Sequence, residues 1–144
     1  MNVVVYTDGS QAAEEAVTYA ARRGAPQTHF WLLHVVASGR QGAVQNGEKI
    51  LERSRDLFLS LAGPDMPLDT RLEVGDVVER LTEAADAVDA DAIIMGSHGL
   101  GAFPRSQVLS QAAEDTVAAT DRPVILVFPK GSDVVPAAAL GASR

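Results

Sequence analysis

The chain has 144 residues, 47% of them apolar and 22% charged, which suits one domain with a sizeable core and argues against wholesale disorder. Twelve basic residues against 19 acidic ones leave a formal charge of −7, so a broad basic face for nucleic-acid backbones or anionic membranes is not expected. There are no cysteines, which excludes disulfides, thiolate zinc sites and thiol catalysis.

The N-terminal stretch MNVVVYTDGS carries no basic leader, and its apolar part is too short for a signal peptide. No later apolar run approaches the ~18 residues of a membrane span, and the expected location is the cytoplasm. Val3 to Tyr6 is a β-branched run that reads as a strand ending in the turn signal Thr7-Asp8-Gly9-Ser10. Ala13, Ala16, Val17, Ala20 and Ala21 then recur at helical spacing, with Glu14 and Glu15 in the first turn and Arg22 and Arg23 in the last, as the helix dipole favours. Trp31 to Val36 reads as a buried strand. Ser38 to Gly47 is rich in Gly, Gln and Ser and is expected to be a mobile loop. Ile50, Leu51, Ser54, Leu57, Phe58 and Leu61 predict an amphipathic helix that Gly63-Pro64 ends.

Leu68 to Val74 predicts the third strand, and Val77, Val78, Leu81, Ala84, Ala85 and Val88 the third helix. Ala92 to Met95 is a strand running straight into Gly96-Ser97-His98-Gly99. Helical spacing returns from about Val108 to Ala119, and Val124 to Phe128 is the last strand. Val4, Leu33, Ile93, Ile94 and Ile125 are the predicted core of neighbouring strands. Residues from about Gly131 onward are small and unpatterned and read as a loose tail, so residues 1–130 form the expected domain and 131–144 the tail.

Five strands alternate with four helices without an internal repeat. This order predicts an α/β domain with a mostly parallel sheet and helices on both faces. In such sheets ligands bind beyond the carboxyl ends of the strands, where the strand order reverses. If the first and fourth strands are neighbours, the acidic Thr7-to-Ser10 loop faces the Gly96-to-Gly99 loop across a crevice. Asp8 can accept hydrogen bonds from a hydroxyl pair or an exocyclic amine. The glycines expose backbone N–H groups, and the helix that follows favours phosphate at its N-terminus. The combination suits a nucleotide, although two glycines also serve a tight turn. The spacing matches neither G-x-x-x-x-G-K-[ST] nor a G-x-G-x-x-G directly after the first strand.

Plainer roles fit the same residues. Asp8 can cap the first helix or hold its turn. His98 has no base or nucleophile near it in sequence, and His29 and His34 read as packing or surface residues, without the spacing of metal ligands. Arg105 reads as a solvated loop residue. Asp86, Asp89 and Asp91 read as a solvated helix end rather than a calcium loop.

The chain resembles the universal stress protein family. The resemblance is carried by VVVYTDGSQAAEEAVTYAARRGA, WLLHVV, EVGDVVERLTEAADAVDADAIIMGSHGLGAFPR and RPVILVFPK, which with their connections span about residues 2–130. It implies an open five-stranded parallel sheet of order 3-2-1-4-5 with four helices over both faces, in the adenine nucleotide alpha hydrolase-like class. The two loops then meet at the switch point. ATP-binding members carry G-x-x-G, nine residues, then G-[ST]. Gly96 and Gly99 supply the first half, but nine residues on lies Leu109-Ser110. Aligning instead on Glu114 and Pro123 puts Ser110-Gln111 in place of Gly-[ST] with one extra loop residue, and the third glycine is missing on either count.

By this resemblance Asp8, with Thr7, would hold the adenine or ribose, and Val36 or a near neighbour would line the base pocket beside Met95. Gly96, Gly99, Ser110 and Gln111 would surround the phosphates, with Arg105 a cation near them, and His98 in the glycine loop would belong to the same nucleotide site. The implied function is a stress-response protein that binds ATP or another adenine nucleotide weakly, with Mg2+ as its companion ion, and no catalytic role beyond slow ATP hydrolysis. Two other readings stand beside it: a relative that has lost nucleotide binding and acts through protein contacts, and a nucleotide-dependent enzyme on a similar sheet. The apolar run Val124 to Phe128 at a sheet edge predicts a homodimer through that strand, as the resemblance also implies.

Overall fold

Strands and helices alternate as expected in the computed structural model, which describes residues 1–98 and 109–129. The elements are β1 (Asn2–Tyr6), α1 (Gln11–Arg22), β2 (His29–Val36), α2 (Gln41–Ala62), β3 (Leu68–Val74), α3 (Val77–Ala87), β4 (Ala92–Gly96), α4 (Gln111–Ala119) and β5 (Val124–Val127). Gly99, Arg105 and the C-terminal tail lie outside the described residues.

All pairings are parallel, in the order β3-β2-β1-β4-β5. The chain steps outward from β1 to β2 and β3, then crosses to β4 and β5 on the other side. Val3 pairs with Ala92 and Val5 with Ile94, so the carboxyl ends of β1 and β4 lie side by side where the order reverses.

Two cores cover the two faces of the sheet. Val3, Val5, Phe30, Leu32 and Ile94 pack against Ala16, Val17 and Ala20 of α1 and Leu51 and Phe58 of α2. Val4, Tyr6, Leu33, Val35, Ile93 and Met95 pack against Leu81, Ala84 and Ala85 of α3 and Ala113 of α4. Of the predicted core, Val4, Leu33, Ile93 and Ile94 are buried. Ile125 is half-buried, because β5 has a neighbour on one side only.

Each helix start has a local cause. Ser10 caps α1, its side chain accepting from Ala13 N at 3.1 Å, and Asp76 caps α3 by accepting from Glu79 N at 3.0 Å, as N-cap residues do. Helix α2 departs from expectation, since it begins at Gln41 inside the stretch read as a loop. A Cβ on Gly47 would lie 2.7 Å from Val36 Cγ1 and 3.0 Å from Leu72 Cδ1. Glycine here lets the helix backbone lie directly on β2 and β3, and that packing offsets a propensity cost of about 1 kcal/mol. Helix α4 starts later than the spacing suggested, because Ser110 is extended (φ −63, ψ 153) and serves as its N-cap.

Candidate functional site

At the switch point the chain leaves β1 through Thr7-Asp8-Gly9-Ser10, with Gly9 at φ +80. Asp8 Oδ1 accepts from Ser10 N at 2.9 Å, while the helix cap is Ser10 itself. Of the two plain roles open to Asp8, the turn is therefore the one its backbone contact fills. The half-buried carboxylate also lines a cleft of about 170 Å³, together with Tyr6, Ala13 and Val77. The opposite wall is Met95, Gly96, His98, Ser110 and Ala112.

Backbone bonds assemble that second wall. Ser97 N donates to Val127 O at 2.9 Å, and Ser110 N donates to Ser97 O at 2.8 Å. The N-terminus of α4 is thereby fastened to the turn after β4. Ser110 Oγ accepts from Ala113 N at 3.1 Å, whereas the N–H groups of Gln111 and Ala112, in the first turn, have no intrahelical acceptor. His98 is only 4% exposed. Its Nδ1 lies 2.6 Å from Ser97 Oγ, so the partner that was not evident for it is its own chain neighbour. His98 Nε2 is buried and has no hydrogen-bond partner among the described residues.

Asp8, Met95, Gly96, His98 and Ser110 thus meet around one cleft. Thr7 and Val36 point elsewhere. Side chains alternate across a strand, and with Tyr6 on the α3/α4 face Thr7 falls on the α1/α2 face. There its hydroxyl is 3.0 Å from Ser54 Oγ and its carbonyl accepts from His34 Nδ1 at 2.7 Å. Val36 is on the same side, against Gly47 of α2. Gln111 heads α4, but its exposed side chain donates to Asp115 Oδ1 at 2.7 Å.

Tyr6, Val77, Ala13 and Ala112 complete the cleft without having been singled out. Val77 had a usable signal, since it directly follows Val74-Gly75-Asp76 in the EVGDVV stretch. Burial, and after it the charge of Asp8, pushes the Tyr6 hydroxyl well above its ordinary pKa. At neutral pH it is an O–H group beside a carboxylate.

Gly96 serves packing more directly than phosphate access. A Cβ there would lie 2.8 Å from both the carbonyl carbon and Cβ of Ala12, so its absence lets α1 close on β4. Elsewhere, Asp86 and Asp89 are exposed at the helix end as expected, and both carboxylates lie 3.1 Å from the Arg122 guanidinium. Asp91 accepts from Asn2 N at 2.8 Å. Among the described residues no three His, Cys, Asp or Glu side chains form a metal-binding group, and no helix is long and apolar enough to cross a membrane.

A sequence model of the universal stress protein family matches residues 1–127. No curated protein matches the chain. Among solved structures, a universal stress protein in complex with cAMP is 25% identical with a TM-score of 0.71, covering 89% of this chain and 96% of its own. A universal stress protein from Archaeoglobus fulgidus is 21% identical with a TM-score of 0.74, covering 88% of this chain and 98% of its own. The universal stress protein from Archaeoglobus fulgidus in complex with dAMP is 21% identical with a TM-score of 0.71, covering 88% and 97%. With a family match over nearly the whole chain and a sheet of the order 3-2-1-4-5, this chain belongs to the universal stress protein family.

Proposed function

We propose that this chain is a cytoplasmic stress-response protein that binds an adenine nucleotide in the switch-point cleft, with a weak hold on the outer phosphates. The observation that carries the reading is the polarity of that cleft. It has an acceptor at one end, Asp8, and at the other the N-terminus of α4 and His98, whose Nε2 has no partner among the described residues. The solved relatives with cAMP and dAMP support adenine as the base.

The residues fit such a ligand. One oxygen of Asp8 is engaged by Ser10 N, and its place in the cleft wall suits a ribose diol or an exocyclic amine. The first-turn N–H groups of α4 suit a phosphate. Ser110 stands where the family's ATP motif carries glycine, and it uses Ala113 N for its own cap. That leaves one N–H fewer for phosphate. ATP should therefore gain little over AMP, and Mg2+ would enter on the phosphates of ATP.

Binding rather than catalysis is favoured by the state of Ser97. It is the hydroxyl paired with a histidine among the described residues, and it is wholly buried. For assembly, the four residues of β5 are apolar and half-buried at the sheet edge, which supports a homodimer through Val124 to Phe128.

Calorimetric titration of the wild type, Asp8→Ala and Ser110→Gly with AMP and ATP tests the nucleotide reading. AMP and ATP should bind the wild type within about tenfold of each other, Asp8→Ala should weaken both, and Ser110→Gly should favour ATP. Tight ATP binding indifferent to Asp8→Ala would refute the site. No binding of either nucleotide would leave the reading in which the chain acts through protein contacts alone.

A further inference from the structure

We propose that Met66 is an oxidation site, where conversion of the thioether to a sulfoxide releases the turn before β3 from the end of α1. The inference is independent of the nucleotide reading, because it concerns the amino ends of the strands, at the opposite end of the sheet from the switch-point cleft.

With no cysteine in the chain, a two-electron oxidant finds its softest targets in the three methionine sulfurs. Those three stand in different settings. Met1 is 70% exposed and Met95 only 2%. Met66 lies between these extremes, half-buried against the core that α1 and α2 cover. It also lines an open, mainly apolar cavity of about 430 Å³ with Pro26, Ala62, Pro64 and Pro67. Oxidation of Met1 alters solvent-facing surface, and Met95 is reached only when the fold opens. Of the three, Met66 is the one both reachable and packed.

Its packing joins two connections of the chain. The turn after α2 is closed by Met66 N donating to Gly63 O at 3.3 Å, and the side chain reaches the end of α1. A Cβ on Gly24 would lie 2.8 Å from Met66 Cε and 3.5 Å from Sδ, so the thioether fills the space that a side chain at 24 would need. It thereby ties the α1–β2 connection to the α2–β3 connection. Hydrogen peroxide oxidises such a sulfur by two electrons. A sulfur lone pair attacks one peroxide oxygen, the O–O bond breaks, and the departing hydroxide takes the transferred oxygen's proton and leaves as water. The new oxygen is a strong acceptor, but the neighbouring Gly24 N–H is already given to Ala21 O at 3.3 Å. A buried polar group without a partner is costly, so the sulfoxide turns out to water and the contact with Gly24 is lost. A sulfoxide reductase drawing on a thiol reverses the step.

The test is graded oxidation of the full chain with hydrogen peroxide, read by peptide mass spectrometry and thermal unfolding. Met66 should be modified about tenfold faster than Met95 or more, and Tm should fall by about 4 °C or more in step with the Met66 sulfoxide. Trypsin should then cut faster at the exposed Arg22 and Arg23, just before Gly24, and a sulfoxide reductase should restore both readings. Met66→Leu, a volume-conserving change, should keep the fold, still be oxidised at Met1 and show no fall in Tm. Met66→Gln, which places a polar side chain there without oxidant, should reproduce the loss. Equal modification rates for Met66 and Met95 in the folded chain would overturn the proposal. So would full oxidation of Met66 at unchanged Tm, or an equal fall of Tm in oxidised Met66→Leu. The wild-type rates and the recovery after reduction decide the matter even if a variant misfolds.

Discussion

Replacing Gly96 by alanine is the sharpest probe of how the cleft is built. Gly96 opens the family's phosphate motif, yet its missing Cβ points at α1 rather than into open space. An added Cβ would lie 2.8 Å from two atoms of Ala12 and 3.0 Å from its carbonyl oxygen, so α1 would have to retreat by about 0.7 Å to reach the ~3.5 Å of ordinary contact. The obstacle is largely backbone, and no rotamer can relieve it. Nor can α1 move freely, because Ala16, Val17 and Ala20 behind it are wholly buried. The expected cost is that of an overpacked core, about 1–3 kcal/mol. Any retreat also drags the Asp8-to-Ser10 turn, since Ala12 stands two residues past the cap. Urea denaturation should show a lower midpoint at unchanged slope. The control is Gly42→Ala, an exposed position of α2 with nothing within 4 Å, which should gain about 0.4–1 kcal/mol. A loss under about 0.5 kcal/mol at Gly96, the range of surface substitutions, would refute the close approach of α1 to β4.

Three further outcomes are expected. Ile94→Ala should cost about 2–5 kcal/mol in equilibrium unfolding, since Ile94 is buried between β4 and α1; a loss under about 0.5 kcal/mol would put it at the surface. The chain should sediment as a dimer at tens of micromolar, roughly the range of modest interfaces, and Ile125→Glu should give a folded monomer; a wild-type monomer at that concentration would count against pairing through β5. Tyr6 has a folded pKa above its unfolded value of 10.0, through burial first and Asp8 second. The unfolded chain therefore releases that proton earlier, and stability should fall as pH rises past about 10. Tyr6→Phe should remove that part of the alkaline loss, and identical alkaline profiles for the two proteins would sink the assignment.

Much of the architecture was legible because each element carries its own signal. Strand runs such as Val3 to Val5 and Ile93-Ile94 are short, apolar and bounded by turns, and α1 and α3 keep a 3.6-residue apolar stripe. What escaped the sequence depended on contacts between distant segments. Nothing local marks Gly42 or Gly47 as helical, and Gly47 makes sense only once Val36 and Leu72 are beneath it. The sides of β1 were hidden for a related reason. In a parallel strand covered on both faces there is no polar alternation to show parity, and Val3, Val4, Val5, Tyr6 and Thr7 are all buried. Asp8 was therefore recognisable as a turn residue at the switch point, while the choice between Tyr6 and Thr7, or of Val36, as a cleft residue was open by one position.

The Ser97–His98 pair shows the same dependence at the scale of one hydrogen bond. Two neighbouring side chains in a turn have no fixed relation in sequence. Here Ser97 is held through its N–H by Val127 and through its carbonyl by Ser110, one residue from the far end of the sheet and one from the cap of α4. Those two bonds immobilise the turn and bring His98 beside the helix N-terminus. The consequence is a division of labour that the glycine motif alone does not express. Gly96 brings α1 and β4 together, and Ser110 fixes α4 while its own cap takes up the Ala113 N–H. A cleft with that donor already engaged should hold one phosphate better than three.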